Sequence, residues 1–241
     1  LFGDLPIYVA EDSVEVWMHR DLFLLDESGR PQVVAGVPPD YFSAEGQRWG
    51  NPLYRWPRHV ANGFGWWRGR LRAQLALFDL VRIDHFRGLE ACWEIPASSP
   101  HARDGAWRKV PGAALLEALK HEAGGLPVVA EDLGIITPEV DQLRESFDLP
   151  GMRVLQFGFD GSSGNPHLPH NYTRRTVAYS GTHDNDTTVG WYRSLDPGTA
   201  GGVCEYLSVG SSTSADSGAV GVAAGAVADA LVRATLASVA Q

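Results

Sequence analysis

The stretch LVRIDHFRG at residues 80–88 decides the fold, because it places an apolar strand directly in front of charged side chains. Two further apolar runs end in the same way, at Glu131-Asp132 and at Thr182-His183-Asp184. Carboxylates that collect at the carboxyl ends of parallel strands are typical of a (β/α)-barrel active site. Open doubly wound sheets also bind ligands at that edge, but the glycine-rich phosphate turn expected there is missing. The sequence therefore predicts an α/β fold of the barrel kind.

The rest of the chain supports alternating strands and helices. Buried strands are predicted at residues 5–9, 80–84, 126–131, 152–157 and 176–179, and helices at about 64–79, at 111–123 and after the cap Thr137-Pro138. Residues 26–63, with five prolines and five glycines, are predicted to form a long, aromatic-rich loop, which is usually functional in a compact domain. Residues 208–228 are predicted to be a flexible Ser/Gly/Ala-rich segment that leads into a final helix at 226–240.

Composition narrows the class of protein. The net charge of −9 argues against nucleic acid or an anionic membrane as partner, because either would favour a basic face. No segment is long and apolar enough to suggest a membrane span. Cys92 and Cys204 are far apart in the sequence, which disfavours a disulfide framework and fits a reducing cytoplasm.

The first chemical motif pairs Arg82 with Asp84. Strand side chains alternate, so these two point to the same side while Ile83 points away. An arginine beside a carboxylate lowers its pKa and keeps it ionised, as a carboxylate nucleophile requires. A purely structural ion pair explains the same spacing about as well.

The second motif is Glu131-Asp132 after an apolar strand. Desolvation and a neighbouring acid would raise the pKa of Glu131, which is what a general acid needs. Asp132 has two open interpretations, a sugar contact or a cap on the following turn.

A third polar run spans residues 180–188. Asp184 could stabilise a developing positive charge and His183 could donate to a sugar hydroxyl. Alternatively, the run Asp186-Thr187-Thr188 caps the next helix, and both interpretations can hold for different residues.

The long loop adds aromatic side chains that suit the stacking of pyranose rings. Tyr41, Phe42 and Trp49 are candidates, although a single loop aromatic is more often packed against the core. Asp4 is a weaker candidate and could be a turn residue.

Three acids at three strand ends match a retaining glycosidase, which uses a nucleophile and an acid/base carboxyl. A metal hydrolase is the less favoured alternative. His85, His183 and Asp184 could be ligands, but no His-x-His or His-Glu-x-x-His pair exists.

With these motifs in place, the chain resembles the amylomaltases (4-α-glucanotransferases), a branch of the α-amylase clan. The matching stretches are GDLPIYVAEDS at 3–13, residues 36–54, RIDHFRG at 82–88, AEDLG at 130–134 and GTHDND at 181–186. The likeness runs from residue 1 to about 195. Gly88 stands where the wider clan usually carries a histidine, which points to the amylomaltase branch.

The resemblance implies roles for individual residues. Asp84 matches the nucleophile, Glu131 the general acid/base and Asp184 the third carboxylate. The supporting and substrate-binding positions it implies are Arg82, His183, Asp4, Tyr41, Phe42 and Trp49. It further implies transfer of α-1,4-glucan segments between maltooligosaccharides, with no metal and no organic cofactor.

Family members are about twice as long, so the resemblance implies a partial (β/α)8 TIM barrel holding roughly strands 3 to 7. Residues 1–241 would be a catalytic barrel portion, with residues 26–63 over the substrate groove. Two alternatives stay open: an α-glucan hydrolase of the same clan, or a fragment that binds glucan without turnover.

Overall fold

The computed structural model describes residues 1–40, 43–210 and 217–240, which divide into two units at Pro150. The strands of unit 1, Leu1–Pro150, are β1 (Phe2–Pro6), β2 (Val33–Val37), β3 (Gln47–Pro52), β4 (Leu80–Asp84), β5 (Ala91–Pro96), β6 (Ala106–Lys109) and β7 (Val128–Ala130). Its α-helices are α1 (Val14–Met18), α2 (Trp56–Ala61), α3 (Gly65–Leu75), α4 (Gly112–Ala123) and α5 (Pro138–Ser146).

A parallel sheet carries the polar strand ends of this unit. Its strand order is β1-β4-β7, with α3 in the β1-to-β4 connection and α4 in the β4-to-β7 connection. Asp4 lies opposite Arg82, and Arg82 lies opposite Val129. Ile83 alternates to the other side and joins a buried cluster with Trp67 of α3 and residues of α4. The register therefore brings acids from separate strands to one edge.

The strands predicted at residues 80–84 and 176–179 are observed with those bounds, whereas the other predicted strands are shorter or shifted. The strand expected at residues 5–9 is observed at Phe2–Pro6, and that expected at 126–131 at Val128–Ala130. Ile7 and Tyr8 stay buried after β1 has ended, so the apolar pattern continues past the strand that it was taken to mark. A hydrophobic pattern indicates which residues are buried, and here the buried residues extend beyond the end of the strand.

A second sheet in unit 1 was not predicted. Its antiparallel order is β3-β2-β5-β6, so the stretch 26–63, predicted as loop, contains two strands and α2. The short strands of this sheet could not be recognised from a hydrophobic pattern. β3 includes Gly50 and Pro52 and pairs with β2 through an irregular register, and all four residues of β6 are exposed. A strand without a buried face shows no apolar alternation.

Unit 2, Gly151–Gln241, is built on the parallel pair β8 (Gly151–Val154) and β9 (Thr176–Tyr179). Its helices are α6 (Thr188–Ser194), α7 (Pro197–Tyr206) and α8 (Ser217–Leu236). The strand predicted at 152–157 stops at Val154, and residues 155–158 form a 3-10 turn. Of the segment 208–228, predicted to be flexible, residues 217–228 form the first part of α8, because alanine favours a helix. Residues 211–216 of that segment lie outside the described residues.

Candidate functional site

At the end of the parallel sheet, Arg82 bridges two carboxylates. Its Nε and Nη2 donate to the two oxygens of Asp4, each at 2.8 Å, and Nη2 also lies 3.3 Å from Oδ1 of Asp84. Burial alone would lower the pKa of Arg82, but the hydrogen bonds and charge of Asp4, with the charges of Asp84 and Glu131, raise it above its ordinary value. Arg82 thus stays a cation, and Asp4 is a strand residue, not a turn residue.

Glu131 follows β7 and is only 8% exposed. Its Oε2 accepts the backbone N–H of His85 at 2.7 Å, and its Oε1 accepts that of Leu133 at 2.8 Å. Burial raises the pKa of Glu131 to about 7, and the charge of Asp84 adds to the rise, while the two N–H donors and Arg82 oppose it. The carboxyl is fixed in orientation and can gain or lose a proton near neutral pH.

His85 is a site residue whose part sequence reasoning missed. Its backbone is left-handed, with φ of +57°, and this turn directs its N–H at Glu131. Burial, followed by the charge of Arg87, lowers the pKa of His85 to about 3, so the ring is neutral. A Cβ on Gly88 would lie 2.9 Å from the His85 ring, so glycine is needed beside it. The available signal was a histidine, which tolerates this backbone, directly after the strand-end acid.

Trp49 of β3 is brought to this edge. Its ring meets the His85 ring edge-on, with centroids 4.7 Å apart, and the residue remains 39% exposed. Its indole N–H donates to Gln47 at 3.0 Å. The partly exposed indole of Trp49 thus lies beside His85, the residue that directly follows Asp84. Tyr41 and Phe42, predicted from the same stretch, lie outside the described residues.

Asp132, the neighbour of Glu131, lies against α5. Its side chain is 2% exposed, and Oδ2 lies 3.6 Å from Nε of Arg144 in α5. Nη2 of Arg144 also lies 3.3 Å from Oδ1 of Asp141. The ion pair of Asp132 with Arg144 joins a strand end to a helix, and the sugar contact and the turn cap stay predictions for Asp132.

In unit 2, His183 and Asp184 lie on the loop between β9 and α6. Their side chains are 65% and 62% exposed, and His183 Nε2 lies 3.4 Å from Asp184 Oδ1. Asn185 Oδ1 accepts from both the N–H and the hydroxyl of Thr182 at 2.9 Å, which closes the loop through a side chain three residues further along the chain. Thr187 caps α6 through the N–H of Gly190, so part of this run is a helix cap, as one of the two interpretations required.

The described residues also bear on metal sites and membrane spans. Within the residues that the structure describes, no group of three His, Cys, Asp or Glu side chains is placed to hold a metal ion. Across the same part of the chain, no helix combines the length and apolar character needed to cross a bilayer.

Comparison with known proteins places this geometry in context. The chain is 60% identical to a 4-alpha-glucanotransferase of Thermus thermophilus over 209 residues, and 53% identical to one of Synechocystis over 210 residues. Both alignments cover 86% of this chain and 42% of the relative. The structure resembles that of an amylomaltase from Streptococcus agalactiae in complex with acarbose, with a TM-score of 0.88 and 38% identity, over 99% of this chain and 46% of that one.

The fold is therefore the α/β fold of amylomaltase, with a carboxylate site at the end of a parallel sheet. A sequence profile described as 4-alpha-glucanotransferase matches residues 1–241, and the chain belongs to that family. It spans about two fifths of the length of the curated relatives it matches.

Proposed function

We propose that this chain carries the reaction centre of a 4-α-glucanotransferase, which moves α-1,4-glucan segments between maltooligosaccharides by retaining double displacement. The observation that carries the proposal is the contrast between two acids at one sheet edge. Asp84 is paired with the permanently charged Arg82, whereas burial raises the pKa of Glu131 to about 7. Two carboxyls in different protonation states are what such a mechanism requires.

In the first step, Asp84 attacks the anomeric carbon and forms an ester, while protonated Glu131 gives its proton to the oxygen of the leaving glucan. In the second step, the 4-hydroxyl of an acceptor glucan attacks the same carbon. Glu131, now a carboxylate, takes the hydroxyl proton, and Asp84 is released. The proton and the sugar are both passed on, so the cycle needs no metal or organic cofactor.

We assign supporting roles to the remaining predicted residues. Asp184 would stabilise the positive charge that develops on the donor sugar, and His183 would donate to one of its hydroxyls. Asp4 and Arg82 would hold Asp84 ionised and oriented through the bridge described above. The exposed ring of Trp49, with Tyr41 and Phe42, would stack an acceptor sugar and keep water away from the ester, which favours transfer over hydrolysis.

The same proposal includes the architecture. The sheets β1-β4-β7 and β8-β9 would belong to one partial (β/α)8 barrel, roughly strands 3 to 7. Parallel pairing within each sheet and the helices in the connections support this assignment. Both cysteines are free and buried, which fits a reducing, cytoplasmic setting.

The test is a product profile. Maltotriose is incubated with the chain, and the products are resolved by mass, with Asp84→Ala as the control. Glucose together with a ladder of longer maltooligosaccharides, absent from the control, is the expected result. Glucose and maltose without longer products would make the chain a hydrolase. Acarbose binding without turnover would leave only the glucan-binding alternative.

A further inference from the structure

Gln156 is a buried polar side chain that the mechanism above does not use. It lies in the 3-10 turn directly after β8 and is 6% exposed. Its Nε2 donates to the backbone carbonyl of Asp186 at 3.3 Å. Because a carbonyl oxygen can only accept, the amide nitrogen of Gln156 is the atom that must face it.

The same amide also contacts the other end of the loop between β9 and α6. A Cβ built on Gly181 would lie 2.7 Å from Nε2 of Gln156 and 3.1 Å from Cδ. The backbone of Gly181 therefore packs directly on the amide. Gln156 touches both ends of the segment 181–186, which carries His183 and Asp184.

Hydrogen bonds inside the loop fix its shape but not its position relative to β8. Asn185 binds Thr182, and the N–H of Asp184 donates to the Thr182 hydroxyl at 3.3 Å. The N–H of Thr187 donates to Asp186 Oδ1 at 2.7 Å and Thr187 caps α6, which joins the loop to that helix. The contacts of Gln156 instead join the loop to the end of β8, so they fix the position of the loop relative to that strand.

We propose that Gln156 is a positioning residue that holds the segment 181–186 against β8 and thereby fixes the carboxylate of Asp184. The inference rests on the proposed function, in which Asp184 stabilises the donor sugar. Gln156 acts through the backbone of the loop and does not contact the substrate. Its removal should therefore lower kcat for transfer more than it raises KM.

The matched pair of variants is Gln156→Met and Gln32→Met. The Nε2 of Gln32, in unit 1, also donates to a backbone carbonyl, that of Leu25, at 3.0 Å, and neither residue belongs to the loop 181–186 or to the turn that carries Gln156. Both variants remove an amide-to-carbonyl hydrogen bond by the same substitution. Hydrogen exchange of the amides of Thr182, Asp184 and Asn185 should become about tenfold faster or more in Gln156→Met and stay unchanged in Gln32→Met. Unchanged exchange in Gln156→Met, or equal acceleration in both, would overturn the proposal.

A double-mutant cycle then tests whether the effect passes through Asp184. Gln156→Met should lower kcat for maltotriose disproportionation about tenfold in the wild-type background and leave it unchanged in an Asp184→Asn background. An equal loss in both backgrounds would overturn positioning through Asp184. A wild-type chain without transfer would count against the proposed function alone, because the exchange measurement judges the contact of Gln156 independently of turnover.

Discussion

The acids of unit 1 and the polar loop of unit 2 are held in different ways. Glu131 is buried with a backbone donor on each oxygen, and Asp84 is paired with a buried arginine. Asp184 is 62% exposed, its N–H donates to the hydroxyl of Thr182, and Nε2 of His183 lies 3.4 Å from its carboxylate. Under the proposed function, charge and burial would set the reactivity of the acids in unit 1, whereas the geometry of the loop would position Asp184 in unit 2. Substitutions in unit 1 should therefore change the pH dependence of the reaction.

The largest effect is expected from Asp84→Ala. Loss of the nucleophile removes the covalent step, so transfer should fall by about 10⁴-fold or more, while acarbose or maltooligosaccharide binding stays largely in place. The measurement is maltotriose disproportionation together with calorimetric binding. Transfer near the wild-type rate would remove Asp84 from the nucleophile role.

Glu131→Gln should lower turnover of natural glucans by about 10²- to 10⁴-fold, because their leaving groups need a proton. Aryl glycosides with good leaving groups should lose much less in the first step. Equal losses on both substrates would argue against general-acid catalysis.

The pH profile tests the same carboxyl without substitution. Because the pKa of Glu131 is raised to about 7, kcat/KM should fall as the pH rises through about 7 and the acid loses its proton. The shift also makes protonated Glu131 a source of stability below its ordinary pKa of 4.5, and this contribution is lost as the pH rises through about 7. A wild-type profile that is flat between pH 6 and 8, measured with maltotriose, would contradict this electrostatic account.

Arg82→Met tests the bridge itself. Removal of the guanidinium leaves Asp4 and Asp84 as neighbouring carboxylates, which should cost about 2–3 kcal/mol of unfolding free energy. This is less than the loss for a fully buried pair, because both acids keep some contact with water. The pKa of Glu131 should rise, because the charge of Arg82 lowers it in the wild-type chain. The fall of kcat/KM on the alkaline side of the pH profile should therefore move to higher pH. Urea unfolding and the pH profile measure the two effects, and a fall at unchanged pH would contradict the charge argument.

Local patterns predicted much of unit 1 and less of its surroundings. Alternation placed Arg82 beside Asp84, and an apolar strand ending in an acid predicted the raised pKa of Glu131, because both depend on near neighbours in sequence. The sheet β3-β2-β5-β6 was missed because its stability comes from pairing between distant segments. The N–H of His85 that binds Glu131 was also missed, since a backbone donor is independent of residue type.

The smallest effect on the reaction is expected from Asp132→Asn, although it neighbours Glu131. The carboxylate of Asp132 lies against Arg144, so the change should weaken the tie between β7 and α5 and lower the melting temperature. Once corrected for the folded fraction, kcat/KM should change less than about twofold, because the carboxylate of Asp132 faces Arg144 of α5. Gln142→Met, at an exposed position of α5, is the control for substitution in that region. A raised KM for maltotriose at unchanged stability would restore the sugar contact that the sequence left open. It would also show that Asp132 contacts the substrate, as Glu131 does in the proposed reaction, and does not serve only to join β7 to α5.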